Sequence, residues 1–190
     1  WNSFLVALIT TLLCVVMGTA ASLAIARSSS KAARCLDALF MSPLILPGLA
    51  FGLSALIFFS EVGIPVSMTT LVIGHTVVCV PYVIRTTSSA LLQLPPALLE
   101  SAASLGASRA HALRRITLPL IAPGIAAGAF IAFMSSFDNT AVSLFLRDAR
   151  TDMLPIRMWQ DLESKLDVTI AALSSVLVIV TLVMMVLMEK

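Results

Sequence analysis

Long uninterrupted apolar runs constrain this chain more than any other feature of its sequence. A helix that crosses a membrane needs about 20 mostly apolar residues. Stretches of that length lie at about 3–26, 36–60, 68–94, 119–146 and 166–188. Each is too long and too continuous for a strand, and helices satisfy their own backbone groups in lipid. We therefore predict an all-α integral membrane protein, a polytopic bundle with these five spans forming one transmembrane domain over 1–190.

The composition fits a chain that is dissolved in lipid. Of its 190 residues, 59% are hydrophobic and 12% are charged, whereas a soluble domain has about 25% charged residues. The net charge of +2 gives no reason to expect nucleic acid as a partner. Cys14, Cys35 and Cys79 have neither metal-ligand nor disulfide spacing, so we expect three small buried side chains and no metal site.

Basic residues in the loops predict which loops face the cytoplasm. The first loop, the third loop and the C-terminus carry Arg27, Lys31, Arg34, Arg109, Arg114, Arg115 and Lys190. The fourth loop, about 147–165, carries Arg147, Arg150, Arg157 and Lys165, and the second loop has only Glu61. The excess places loops one and three in the cytoplasm and the N-terminus outside. Because the chain starts at Trp1, we also expect that a first span is missing upstream, which fits this topology better than the alternative of a cleaved signal peptide.

The third loop, about 95–118, is a compact charged segment between two apolar runs. Its sequence predicts a short helix over 97–105, a left-handed turn at Gly106 and a second helix over 109–116 that begins at the capping residue Ser108. Pro119 is expected to end that second helix. A basic segment of this kind lies on anionic headgroups or docks on a protein, and its amino acids alone leave both interpretations open.

The same loop contains a spaced motif. Glu100-Ser101-Ala102 is followed, after three intervening residues, by Gly106 and, after nine more, by Ile116-Thr117-Leu118-Pro119. This pattern resembles the EAA loop of binding-protein-dependent ABC importer permeases, which reads E-A-A, three residues, G, nine residues, I-x-L-P. Ser101 replaces the first alanine. The resemblance implies the type I, MetI-like permease fold and a coupling helix that sits in a groove of an ATP-hydrolysing subunit. ATPase-coupling residues would then be Glu100, Ser101, Ala102, Gly106, Ile116, Leu118 and Pro119.

Glu100 also has an interpretation that needs no partner. A carboxylate in the first turn of a helix is favoured by the helix dipole alone. Coupling and simple solvation of this side chain therefore both remain open from the sequence.

Further motifs resemble the polyamine (spermidine/putrescine) branch of these permeases. They are Asn2-Ser3, the Pro-Leu-Ile-Leu-Pro-Gly run at 43–48, Pro81-Tyr82-Val83-Ile84-Arg85, Ser136-Phe137-Asp138-Asn139 and Leu154-Pro155-Ile156-Arg157-Met158-Trp159. Related permeases carry phosphonates, opines, thiamine, iron or oxyanions, so the solute stays open. The resemblance implies a bacterial inner-membrane complex with two ATPase subunits, a periplasmic binding protein and a second permease subunit, which we expect to be a different homologous chain.

Ionisable residues inside spans are candidates for the solute pathway. Asp138, with its polar neighbours Ser136 and Asn139, is expected in the outer half of the fourth span, where an acid would suit a cationic solute. The alternative is an acid at the outer end of a helix. His75 is a further pathway candidate, although a buried interhelical hydrogen bond is more typical of such a histidine. Arg85 is expected to extend toward the cytoplasmic headgroups.

The sequence contains no motif of an enzyme. It has no phosphate-binding loop, no metal-ligand spacing and no nucleophile beside a base. We expect a non-catalytic subunit without a cofactor of its own, with ATP bound by the partner ATPase subunits. Rival classes are a secondary transporter, which requires an inverted repeat and unwound half-helices, and a membrane-embedded enzyme or scaffold.

Overall fold

The computed structural model describes residues 1–26, 28, 30–148, 151–164 and 168–189. Within these ranges the chain is almost entirely helical and forms no strand, which confirms the all-α prediction. The helices are α1 (Asn2–Ala26), α2 (Lys31–Met41), α3 (Gly48–Glu61), α4 (Met68–Leu92), α5 (Pro96–Ser104), α6 (Arg109–Ala112), α7 (Leu118–Phe137), α8 (Thr140–Leu146), α9 (Leu154–Ser164) and α10 (Val168–Glu189). Outside the described residues lie Arg27, Arg150, Lys165 and Lys190 of the charge comparison, and positions 166 and 167 of the fifth predicted span.

The centre of the molecule is a bundle of α1, α4 and α7, which pack against one another. By length and composition, α1, α4 and the helical stretch Arg109–Phe137 can each cross a membrane. Cys14 and Cys79 are buried in the cluster between these helices, as expected. Cys35 is exposed, which corrects the prediction of a buried side chain: it lies on α2, a helix with only one buried residue, Ala33.

Two glycines one turn apart allow α4 and α7 to approach closely. A Cβ atom placed on Gly128 would lie 2.8 Å from the Cα atom of Val83, and one on Gly124 would lie 2.6 Å from the Cβ atom of Ala90. Both separations are shorter than van der Waals contact. Small residues four apart are a recurring device of helix packing in membranes, because they bring two backbones together.

The span predicted as one helix over 36–60 is two helices that meet at an angle of 105°. After α2 the chain makes one 3-10 turn, Ser42–Leu44, and α3 begins only at Gly48. Pro47 precedes α3 and disfavours helical backbone in the residue before it, and its ring cannot continue the hydrogen-bond ladder. The apolar segment is therefore bent and not one continuous helix, although the bent pair is long enough to serve as one span.

The span predicted over 119–146 also differs from a single helix. It breaks at Asp138 and Asn139, so that α7 ends and the short helix α8 begins. The side-chain carbonyl of Asn139 accepts a 2.9 Å hydrogen bond from the backbone N–H of Val142, which caps α8. A capping side chain of this kind offers the backbone an alternative to a continuous helix.

The two half-helices created by these breaks, α3 and α8, pack on each other. Gly52 faces the backbone of α8, where a Cβ atom would lie 2.9 Å from the carbonyl oxygen of Ala141. A buried apolar cluster around Phe59, Val142 and Leu146 continues from this pair to the N-terminal end of α1.

Hydrogen bonds tie the N-terminus to the segment before α9. The backbone N–H of Leu154 donates to the hydroxyl of Ser3 over 2.7 Å, and the side-chain amide of Asn2 donates to the carbonyl of Asp152 over 3.3 Å. At the opposite half of α1, the hydroxyl of Ser22 donates to the carbonyl of Ile84 on α4. The N-terminus and the fourth loop therefore share one end of the bundle.

Candidate functional site: an exposed elbow and an outer cavity

The charged loop forms an elbow of two short helices, α5 and α6, that pack on each other. Pro95 and Pro96 start α5, where a missing N–H costs nothing because the first turn has no intrahelical partner. Glu100 and Ser101 are exposed, whereas the neighbouring Ala102 is only 8% exposed. Glu100 is the fifth residue of α5 and not part of its first turn. The helix-dipole interpretation of this carboxylate therefore does not hold.

Gly106 makes the turn of the elbow. Its φ of +83° is in the left-handed region, as the sequence predicts. The backbone N–H of Gly106 donates to the carbonyl of Ala103 and that of Ala107 to the carbonyl of Ala102, over 2.9 and 3.0 Å. These bonds satisfy carbonyls at the end of α5. Ser108 then caps α6, because its hydroxyl accepts a 3.2 Å hydrogen bond from the N–H of His111.

The second helix of the elbow continues into the bundle, so the prediction that Pro119 ends it is wrong. A π-helical turn, Leu113–Thr117, joins α6 to α7, and the N–H of Leu118 donates to the carbonyl of Leu113. Proline has no N–H to donate, and in an ordinary α-helical turn its ring clashes with the preceding turn. The wider π turn makes room for Pro119 within the helix. Ile116 and Leu118 are half-buried, and Pro119 is exposed.

The motif residues follow this path from the elbow to the bundle. Glu100, Ser101, Ala102 and Gly106 lie in the elbow, while Ile116, Leu118 and Pro119 lie in and just after the π turn. From Arg109 onward the backbone is helical through the π turn into α7, which is one of the three central helices. The motif residues therefore lie along one stretch of chain, from the exposed elbow to its entry into the bundle.

The other end of α7 borders a cavity of about 720 Å³. It lies between the last turn of α7, α9 and α10. The residues that line it are Met134, Ser135, Phe137, Asp138, Leu154, Pro155, Met158, Ser174, Leu177, Val178, Thr181 and Leu182. We call this space the outer cavity, since it is at the end of the bundle that the charge comparison predicts to face outward.

Asp138 is the one charged group among the described residues that line the outer cavity. It is exposed and follows the last residue of α7, with its own N–H bonded to the carbonyl of Met134 over 3.1 Å. The sequence predicts this acid either within the fourth span or at the outer end of a helix. The structure places it at a helix end and, at the same time, in the lining of a cavity.

His75 and Ser136 lie beside the outer cavity and not in its lining. Both are 0% exposed. The Nδ1 atom of His75 is 2.8 Å from the hydroxyl of Ser136, and its Nε2 atom is 3.0 Å from the hydroxyl of Ser143. The imidazole thus joins α4 to both α7 and α8 across the break at Asn139. The interhelical hydrogen bond that the sequence analysis considered for His75 is present.

The contribution of α10 to the outer cavity is not predicted by the sequence. Ser174 and Thr181 are seven residues apart, so they lie on one face of that helix, and both line the cavity with Met158 of α9. Hydroxyl residues at positions 169, 174, 175 and 181 in an otherwise apolar run were the only signal, and the amino acids alone do not show which helix they face.

Comparison with known proteins decides what this arrangement belongs to. The sequence model of the family described as "binding-protein-dependent transport system inner membrane component" matches residues 15–189. The chain belongs to this family. It is therefore the permease component of an ABC importer. Permeases of this family work with ATPase and binding-protein partners and are not catalytic themselves.

Individual relatives of this permease differ in the solute that their names give. It is 27% identical to the spermidine/putrescine transport system permease protein PotC of Haemophilus influenzae over 188 residues, covering 99% of this chain and 73% of that protein. It is 30% identical to the molybdenum transport system permease protein ModB of Mycobacterium bovis, covering 90% of this chain and 70% of that protein.

The fold of the permease is also found in a solved structure. A chain of the MetNI methionine ABC transporter, in an inward-facing conformation, superposes with a TM-score of 0.79 and 17% sequence identity. The superposition covers 100% of this chain and 88% of that chain. The predicted type I, MetI-like fold is confirmed.

Proposed function

We propose that this permease forms part of the translocation path for a small organic cation of the polyamine class, such as spermidine or putrescine. A periplasmic binding protein would deliver the solute to the outer cavity. The elbow over 95–118 would dock on an ATPase subunit at the opposite end, with ATP bound by that subunit.

The position of Asp138 is the observation that supports a cationic solute. It supplies one negative charge to a cavity whose other described lining residues are uncharged and largely apolar. A polyamine is an aliphatic chain with ammonium groups, so its methylenes fit walls such as Leu177 and Val178 while one ammonium meets the carboxylate. A charge-assisted hydrogen bond in such surroundings is stronger than one in water.

Two features support the elbow as the contact with the ATPase. Its motif residues Glu100 and Ser101 are exposed, and its backbone continues into a central helix. We propose a complex with two ATPase subunits, a second permease subunit that is a different but homologous chain, and the binding protein, in a bacterial inner membrane.

An oxyanion is the second candidate solute. It is favoured by the 30% identity to ModB, which is named a molybdenum transport permease. A carboxylate in the cavity lining repels an oxyanion, so the charge of Asp138 separates the two candidates.

Asp138→Asn removes the charge and keeps the size of the side chain. Since a hydrogen bond to a charged group contributes about 1.5–3 kcal/mol, we expect uptake of radiolabelled putrescine at low concentration to fall about tenfold or more. Glu61→Gln is the matched control, because Glu61 is exposed and does not line the outer cavity. The assay uses cells with the whole transporter at equal expression.

The same assay with molybdate separates the alternatives. Putrescine uptake that is equal in wild type and Asp138→Asn would contradict the proposed solute class. Molybdate uptake that Asp138→Asn leaves unchanged or increases, in cells that take up no putrescine, would favour the oxyanion candidate.

A further inference from the structure

A second cavity lies at the elbow end of the bundle, between α4 and α7. Its volume is about 670 Å³, and we call it the inner groove. The polar lining comes from α4 and the residue after it, with Arg85, Thr86, Ser89 and Gln93. The apolar walls are Ala90, Leu94, Pro95, Leu98, Leu120, Pro123, Gly124 and Ala127. The inner groove shares no residue with the outer cavity.

Arg85 is a cation within an apolar span. It is seven residues before the end of α4, which corresponds to about 10 Å along the helix. The side chain is exposed, no ion pair joins it to any residue that the structure describes, and none of the lining residues is acidic. A charged side chain at such a position costs free energy unless it reaches water, headgroups or an anion.

Further donors lie in line with Arg85. Ser89 and Gln93 follow at intervals of four residues, so all three line the same groove along α4. A long arginine side chain extends toward the nearer headgroups, which brings its guanidinium toward the level of Ser89 and Gln93. The groove thus combines a cation and two polar groups with apolar walls.

We propose that the inner groove binds an acidic phospholipid of the leaflet on the elbow side. Arg85 would bind the phosphate, Ser89 and Gln93 would bind headgroup oxygens, and the acyl chains would lie along Leu98 and Leu120. Basic pockets between transmembrane helices on the cytoplasmic side are suited to anionic headgroups. Leu98 belongs to α5, so the lipid contacts the elbow directly.

Two features favour a lipid over other anions. The groove walls are apolar over most of their length, and a free phosphate ion would leave these apolar walls uncovered. Apolar surface is also exposed here, with Leu92 beside the groove at 85% and the lining residue Leu120 at 50% exposure. An amphiphile with one anionic group covers both the cation and these walls.

Native mass spectrometry of the whole transporter tests the proposal. The complex is released in a mild detergent and titrated with phosphatidylglycerol or phosphatidylethanolamine. We expect a site that prefers phosphatidylglycerol, and Arg85→Gln should weaken its binding at least about tenfold, as loss of a charge-assisted bond implies. Arg114→Gln is the control, since Arg114 is exposed and does not line the groove.

A second variant keeps the test independent of whether Arg85→Gln folds. Ser89→Leu retains the charge but fills the groove from an exposed position, and it should also lower phosphatidylglycerol binding. Equal binding by wild type and both variants would overturn the proposal. Full competition by inorganic phosphate would assign the groove to a free anion and would also overturn it. So would loss of the second permease subunit from Arg85→Gln without any change in bound lipid, since Arg85 would then pair with a carboxylate of that subunit.

Discussion

Gly106 shows how one backbone conformation sets the shape of the elbow. Its φ is +83°, yet beyond its two chain neighbours none of the residues that the structure describes lies within 4 Å of the position that a Cβ atom would occupy. Glycine is therefore required at position 106 by the left-handed backbone conformation and not by crowding within the chain. Sequence reasoning could predict this residue and the cap at Ser108, because both signals are local.

Gly106→Val should reduce ATP-driven uptake severalfold while the protein still inserts at a normal level. A β-branched residue in the left-handed region costs about 1–2 kcal/mol, so the turn and the direction of α6 change. Gly106→Asn is the matched variant, since asparagine tolerates this conformation, and it should retain most of the uptake. Undiminished transport by the valine variant would contradict a role for the turn in coupling.

His75 could not be assigned from the sequence because its partners are remote. Ser136 and Ser143 lie 61 and 68 residues away, and no local pattern indicates that either hydroxyl faces the imidazole. The amino-acid sequence contains the histidine, but only the packing of α4 on α7 and α8 shows which groups satisfy it.

His75→Phe should lower thermal stability and leave the KM for the solute unchanged. The change leaves two buried hydroxyls without their partner, at a cost of about 1–3 kcal/mol each. Replacing Ser136 and Ser143 by alanine in the same variant should restore part of the loss. A thermal melt of the purified complex and uptake kinetics provide the two readouts. A KM raised manyfold at unchanged stability would instead place His75 in the solute pathway.

At the scale of helices, hydropathy predicts where apolar helices lie but not where they break. Ile45 and Leu46, at the bend between α2 and α3, are as apolar as any helical residue, and prolines in spans are often only kinks. Asp138 and Asn139 likewise fall inside a long apolar run, for which hydropathy predicts one span over 119–146. Each break depends on a backbone hydrogen bond that is missing or replaced. Hydropathy, which is summed over residues, does not show such a bond.

The close contact of α4 with α7 gives a prediction at this scale. Gly128→Val should destabilise the permease by roughly 1–3 kcal/mol, because the added methyl groups meet the backbone of Val83. For a chain of this size that lowers the melting temperature by roughly 2–10 °C. Ala126→Val is the control, since Ala126 is an exposed residue of the same helix. Equal melting temperatures for the two variants would contradict the packing described here.

At the scale of the whole molecule, the two ends of the bundle have different structural features. The N-terminus, the break at Asp138, α9 and the outer cavity share one end, and the elbow and the inner groove share the other. Loop charges predicted this division from the sequence. The fold that produces this division was predictable only through resemblance to a family, because the composition alone fits any helical membrane protein.

Contact between the elbow and an ATPase subunit is the proposal on which the transport mechanism depends. The direct measurement is cross-linking in the assembled transporter with a reagent that has one thiol-reactive and one photoreactive arm. The exposed Cys35 is first replaced by serine, while Cys14 and Cys79 are buried and can stay. A single cysteine is then introduced as Ser104→Cys in the elbow or as Trp1→Cys at the opposite end, where Trp1 is 88% exposed.

We predict that Ser104→Cys forms a cross-link to the ATPase subunit and that Trp1→Cys forms none. A cross-link from position 1 and not from position 104, in a complex that still transports, would contradict both the orientation and the coupling role of the elbow.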